Sequence, residues 1–179
     1  IVLLKIMYGG IPNYYLKHQK CMCLKKSSNL SCIKVLKDKD CVQGKYIDAE
    51  YIKTLSTKHI LLATMMGTGK TECVLRTLKQ KYKNKKIIWI TCRVSLAQGI
   101  NGRAKAKHFK FDYYKDFMGN TEKSIENSNR LIIELESLHK VSGQHYDIVI
   151  LDENESILNV FLSDETHGNN YDENYTTFE

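Results

Sequence analysis

From about residue 45 onward, short continuous apolar runs alternate with amphipathic stretches. His59–Ala63 is an apolar run that ends in a glycine-rich turn, and it reads as a buried strand. Thr71–Tyr82 follows, with Val74, Leu75, Leu78 and Tyr82 on one helical face. Ile87–Cys92 reads as a second buried strand, with Trp89 as one of its core residues. Ser95–Ala104 is weakly helical and interrupted by Gly99 and Gly102. Apolar runs within Arg130–Glu136 and Asp147–Asp152 give a third and a fourth strand. Ser156 is placed to cap a short helix running to Leu162. After Ser163 the chain turns polar and acidic, as a loop or frayed end does. Strands that are apolar throughout and separated by helical stretches predict a mostly parallel sheet covered on both faces. The fold class is α/β, three-layered, with right-handed crossovers.

Residues 1–42 break this rhythm. Gly9, Gly10 and Pro12 mark a turn, and the Lys/Cys-rich run from His18 to Cys41 has no clean period of 2 or 3.6. This stretch is read as an N-terminal extension of unassigned fold, followed by one folded lobe at 43–165 and a polar, acidic tail at 166–179. A chain of 179 residues with 42% apolar content is sized for one domain and is not disordered throughout. It opens at Ile1 and closes at Glu179 in mid-pattern, as a segment of a longer protein would. No run reaches the roughly 20 apolar residues of a membrane span. The opening I-V-L-L-K-I-M is too short for a signal-peptide core. The expected location is intracellular, nuclear or cytoplasmic, and not secreted. Cys73 and Cys92 fall in predicted elements and read as small core residues. Cys21, Cys23, Cys32 and Cys41, with His18 nearby, do not have a standard zinc spacing.

Charge alters the picture more by its distribution than by its sum of +7. Residues 1–111 carry 23 basic and 5 acidic side chains, a net +18, whereas 112–179 carry 4 and 15, a net −11. The basic part is suited to phosphate, from nucleic acid or nucleotide, and equally to a solvated Lys-rich surface. The run Lys79, Lys81, Lys83, Lys85, Lys86 suits a helix end, where cations complement the macrodipole.

The strongest chemical signal is Thr64-Met65-Met66-Gly67-Thr68-Gly69-Lys70-Thr71, between a predicted strand and a predicted helix. Glycines let successive backbone N–H groups curl around the β- and γ-phosphates, and the helix start aims its positive end at the same anion. Gly67, Thr68, Gly69, Lys70 and Thr71 are the candidate ATP-binding residues. Lys70 would reach the β/γ oxygens, and Thr71 would offer its hydroxyl to Mg²⁺. Thr64 stands where this kind of loop usually has its first glycine; the inner G-x-G-K-T is kept. The second signal is I-V-I-L-D-E at 148–153, a buried strand delivering two carboxylates at its end. Asp152 would hold Mg²⁺, and Glu153 would orient or deprotonate the attacking water. In an open α/β sheet both motifs lie at the carboxyl edge of the strands, where ligands bind. Arg93 and Ser95 follow the second strand at that edge and could contact a nucleic-acid backbone. Ser137 follows the third strand and could do the same.

Taken in order, M-G-T-G-K-T, T-C-R-V-S-L-A, L-E-S-L-H and L-D-E-N-E-S-I-L resemble the herpesvirus-type replication-origin-binding proteins, which are superfamily 2 DNA helicases. The resemblance covers about Gln43 to Leu162. It implies a RecA-like P-loop NTPase lobe, the first of two, acting in DNA replication at origins with ATP and Mg²⁺. Gly67, Gly69, Lys70 and Thr71 match helicase motif I, with Lys70 and Glu153 as catalytic residues and Thr71 and Asp152 at the metal. Arg93 and Ser95 match motif Ia, and Ser137 the region of motif Ib, both of which touch DNA. Asp152 and Glu153 match motif II, here in the variant D-E-x-E with Asn154 and Glu155. The family's second RecA-like lobe carries an arginine that completes the ATP site, and no such motif occurs in these 179 residues. The expected partners are therefore single-stranded or origin DNA and a second lobe, in cis or on a partner chain, with no membrane. The chain alone should bind ATP without efficient turnover. The alternatives are a P-loop NTPase that is not a helicase, and a non-catalytic DNA-binding remnant of a mobile element.

Overall fold

Side chains such as Ile, Val and Leu, apolar at every position, make strands that must be buried on both faces, and this chain uses them to build a parallel sheet. The computed structural model describes residues 2–6, 33–36, 41–42, 46–47, 59–63, 67–118, 124–161 and 170–178. In chain order the elements are β1 (Val2–Ile6), β2 (Ile33–Leu36), β3 (Cys41–Val42), β4 (Tyr46–Ile47), β5 (His59–Ala63), α1 (Lys70–Lys81), β6 (Ile87–Thr91), α2 (Val94–Ala106) and β7 (Asp112–Tyr113). They continue with β8 (Arg130–Glu134), β9 (Ile148–Asp152), α3 (Asn154–Phe161) and α4 (Tyr171–Phe178), with 3₁₀ turns at Tyr114–Phe117, Ile125–Asn127 and Leu135–Val141.

The main sheet has seven strands in the order β2-β5-β1-β9-β6-β8-β7, and every neighbouring pair is parallel. β3 and β4 form a separate antiparallel pair. Every residue of β6 is buried, as are Leu131–Glu134 of β8, so the centre of the sheet is covered on both faces. Right-handed crossovers put α1 and α2 over one face and Leu135–Val141 over the other, compatible with three layers. α1 packs on α2, and α4 packs on Leu135–Val141. Trp89 is fully buried and meets Phe111 edge-on at 5.9 Å, and Phe111 meets Phe109 at 5.6 Å. The expected core residues Val74, Leu75 and Leu78 are buried, and Tyr82 packs at the margin of the core.

Several expectations are corrected. β1 and β2 come from the stretch given no fold, and both enter the main sheet. α2 runs unbroken through Gly99 and Gly102. Two helical glycines cost about 2 kcal/mol together, and burial of Ala97, Ile100 and Ala104 against the sheet offsets this. α2 ends in a Schellman turn: the Phe109 amide donates to the Ala104 carbonyl at 3.0 Å and the His108 amide to that of Lys105 at 2.9 Å. His108, with φ +54°, takes the left-handed position usually given to glycine. Ser156 is not a cap. α3 starts at Asn154, and its Ile157 amide donates to the Glu153 carbonyl at 3.0 Å, so Glu153 opens the helix. Cys92 lies just beyond β6 and is half-buried rather than within the core.

The acidic tail, expected as a loop or frayed end, contains α4. The reason is one buried side chain. Asn174 accepts from the His139 amide at 2.6 Å and donates to the Glu136 carbonyl at 3.0 Å. Asn174→Ala leaves a backbone donor and acceptor unpaired at 1–3 kcal/mol each, so α4 should undock at a cost of about 2–3 kcal/mol. Limited proteolysis checks this: cleavage near 163–178 should accelerate while α1 stays protected.

Candidate nucleotide site at the carboxyl edge

The parallel strands all deliver their last residues to one edge, and the register aligns them. Asp152 pairs with Lys5, and Lys5 in turn with Leu62, one residue before the end of β5. On the other side Thr91 pairs with Glu134, in the row that follows Ile90 and Leu151. The loop after β5, the end of β9 and the end of β6 therefore lie along one rim. β1 sits between the loop strand and the acid strand.

Gly67 and Gly69 both have left-handed backbones, with φ +79° and +75°. Gly69 is the N-cap of α1, and the Cys73 amide donates to its carbonyl at 2.8 Å. Two left-handed residues flanking Thr68 curl the chain, and α1 begins directly after the curl. The backbone N–H groups at its first turn are the ones a helix cannot pair internally. Lys70 and Thr71, the first helical residues, are 5% and 6% exposed. The Thr68 carbonyl accepts from the Ile47 amide at 3.2 Å, so β4 braces the loop from outside. Thr64 lies outside the described residues.

Asp152 is fully buried at the end of β9, and the Trp89 indole N–H donates to its Oδ2 at 3.3 Å. A buried indole requires an acceptor, and here the acceptor is the carboxylate expected at the metal. Glu153 follows with φ +58°, rare for a residue with a side chain. That turn breaks the strand's alternation and swings the chain into α3. The Cys92 thiol sits 4.0 Å from Glu153 Oε2. Burial, and then the Glu153 charge, raise the Cys92 pKa, so the group stays a thiol and donor.

Arg93 and Ser95 are exposed at the head of α2, on the same rim as the loop. Ser137 is placed differently. It lies in the Leu135–Val141 turn and is buried. Glu134, outside every motif, lies three residues before it. Glu134 is 2% exposed and accepts from the hydroxyls of Tyr113 at 2.5 Å and Tyr114 at 2.9 Å, with the Lys115 ammonium at 3.1 Å. Burial first, and then the bond to Glu134, push the Tyr113 pKa up, and the Glu134 bond raises that of Lys115. The strand period was the available signal for Trp89. Asp152 is two residues beyond Ile150, which pairs with Trp89, so all three share a face. Nothing local marks the Tyr–Glu–Lys cluster, because Glu134 is 19 or more residues from Tyr113, Tyr114 and Lys115.

Asp152 and Thr71 offer hard oxygen donors, a set that fits Mg²⁺, which takes one or two protein oxygens and keeps waters and phosphates for the rest. Among the described residues no group of three or more His, Cys, Asp or Glu is arranged to hold a metal ion. Cys21, Cys23, Cys32 and His18 lie outside the described residues, and only the backbone of Cys41 is within them. No helix among the described residues is long and apolar enough to cross a membrane.

No solved structure matches the chain significantly. The replication origin-binding protein of human herpesvirus 6A is 36% identical over 104 residues, covering 58% of this chain and 13% of that protein. The replication origin-binding protein of human herpesvirus 7 is 34% identical over 113 residues, 63% of this chain and 14% of that one. An Acanthamoeba polyphaga mimivirus protein whose name places it among helicases is 29% identical over 116 residues, 59% of this chain and 10% of its own. The matched stretch is thus about one-seventh of the herpesvirus relatives' length or less. A profile described as "Origin of replication binding protein" matches residues 43–170, the span that contains the phosphate loop, Arg93, the Glu134 cluster and Asp152-Glu153. The chain belongs to the origin of replication binding protein family.

Proposed function

We propose that this chain is the first, RecA-like ATP-binding lobe of a DNA helicase that works at replication origins. The observation that carries the reading is the meeting of two motifs on one rim. A loop with left-handed Gly67 and Gly69 leads into buried Lys70 and Thr71, and β9 brings Asp152 and Glu153 to the same carboxyl edge. The family match and the helicase name of one relative support the DNA and motor parts of the reading.

In this reading the amides at the head of α1 and the Lys70 ammonium bind the β- and γ-phosphates. Thr71 and Asp152 hold Mg²⁺, which when bound neutralises phosphate charge. Glu153 orients the attacking water and takes its proton. Its left-handed backbone turns its side chain away from the strand's alternation, and the Cys92 thiol steadies one oxygen. Arg93 and Ser95, exposed on the rim, hold a strand by its phosphates. An arginine from a second lobe would complete charge stabilisation, and such an arginine is worth 10³–10⁵ in rate elsewhere.

The test is paired binding and turnover on the chain as it stands. Mg·ATP should bind, single-stranded DNA should bind more weakly in Arg93→Ala, and turnover should not exceed that of a Lys70→Ala control. Turnover well above that control without a partner would overturn the half-site reading. ATP binding with no response to single-stranded DNA would favour an NTPase that is not a helicase.

A further inference from the structure

From Cys73 to Phe111 the chain carries 11 Lys and Arg and no Asp or Glu. The fold gathers part of that charge in one place away from the carboxyl rim. Arg76, Lys79 and Gln80 on α1 face Ala106, Lys107 and His108 at the end of α2, and the six line a cleft of about 520 Å³. Arg76 and Lys79 are six and nine residues beyond Lys70, hence ~9 and ~14 Å further along the α1 axis.

The cleft is held in shape by contacts that engage part of its charge. The Lys79 ammonium donates to the Lys107 carbonyl at 2.6 Å, tying the last turn of α1 to the end of α2. An ammonium has three N–H donors, so two remain for a ligand. Lys107 pairs with Glu72, and both are partly exposed. Arg76 is exposed and makes no hydrogen bond or ion pair to other described residues. The Schellman turn holds His108 rigidly at the mouth.

Helix ends by themselves do not account for this collection. Lys79 and Lys81 already occupy the last turn of α1, and Arg103 and Lys105 that of α2. The dipole effect falls off within one turn. Lys107 and His108 cap the end of α2, but Arg76 lies upstream of the last turn of α1, and one cleft gathers cations from the ends of both helices. Four cationic or protonatable groups converging on an open cleft, against one partly exposed acid, fit a polyanion.

We infer that this cleft is a second phosphate-binding surface, one that takes the sugar–phosphate backbone of nucleic acid separately from the carboxyl rim. The inference does not depend on the nucleotide reading.

The experiment measures affinity of the full chain for a labelled 20-mer, single-stranded and duplex, from 50 to 200 mM KCl. Inorganic triphosphate is titrated in parallel. The variants are Arg76→Glu, which breaks no described contact, and the triple Arg76→Ala/Lys79→Ala/Lys107→Ala. Arg76→Lys tests for charge, and Arg93→Ala reports the rim. Each phosphate contact contributes about 0.7 to 0.9 to the slope of log affinity against log salt. The triple variant should therefore lose roughly 2 to 3 from that slope and bind about tenfold more weakly at 150 mM. Arg76→Glu should weaken binding at least threefold, with Arg76→Lys close to wild type. These losses should persist in an Arg93→Ala background. An unchanged slope in Arg76→Glu overturns the inference, even if the triple variant fails to fold. Loss of triphosphate binding with the strand's slope unchanged assigns the cleft to a small polyphosphate and overturns the nucleic-acid assignment.

Discussion

Lys70→Ala should weaken Mg·ATP binding about 100- to 1,000-fold while leaving the fold intact. The size follows from what the ammonium does. Lys70 stands one residue past the left-handed Gly69, at the first position of α1, and is almost wholly buried. A charged donor bound to an anion is worth about 1.5–3 kcal/mol net. Two such bonds, to the β- and γ-oxygens, give about 3–4 kcal/mol when each is taken near the lower end of that range, hence the factor stated. Gly67, Gly69 and the helix amides are backbone features that the substitution leaves in place. A thermal melt measures the difference directly. Ligand at one hundred times its Kd stabilises by ~2.7 kcal/mol. For a chain of this size that is a rise of about 5–10 °C for wild type and almost none for the variant. Equal shifts for both would mean that phosphate binds elsewhere and that the loop is a structural turn.

Trp89→Phe should lower both stability and Mg²⁺ affinity, and the second effect separates a positioning role from a packing one. The indole is fully buried and its N–H donates to Asp152 Oδ2. Phenylalanine keeps the contact with Phe111 but loses that bond, worth ~1.5–3 kcal/mol for a charged acceptor. The melting midpoint should fall by roughly 5–10 °C. With the Trp89 bond lost the Asp152 carboxylate is less firmly oriented, so the Mg²⁺ needed for half-maximal nucleotide binding should rise about tenfold, as for outer-shell partners of other metal sites. A lower midpoint with unchanged Mg²⁺ dependence would leave Trp89 as a core residue only. Trp89→Ala is less informative. A cavity of that size costs about 3–5 kcal/mol, a large part of the stability of an ordinary domain. Trp89 is also the chain's sole tryptophan, so its emission in the wild type reports on Asp152 during an Mg²⁺ titration.

The candidate site was more legible than the fold around it. G-x-G-K-T is a contiguous signal, because its chemistry needs consecutive backbone amides and then a lysine. I-V-I-L-D-E is contiguous for a similar reason: one strand carries both carboxylates to its end. Neither motif required knowledge of what lies beside it. Ser137 shows the limit of such reading. Its motif suggested a hydroxyl on DNA, and the local sequence gave no sign that Ser137 is buried in the Leu135–Val141 turn or that α4 packs on that turn through Asn174.

The amino-acid pattern by itself determined four of the sheet's strands, the helices between them, the glycine turn before α1 and the two carboxylates at the end of β9, because each is a periodicity or a motif within about ten residues. It left undecided that Val2–Ile6 enters the middle of the sheet, between the loop strand and the acid strand. It also gave no sign that Asn174 docks the tail, or that Glu134 is buried among Tyr113, Tyr114 and Lys115. Parallel pairing joins segments far apart in the chain, and a buried polar group is acceptable only where distant partners satisfy it. Those partners exist only once the chain has folded, so the tertiary structure alone decides them.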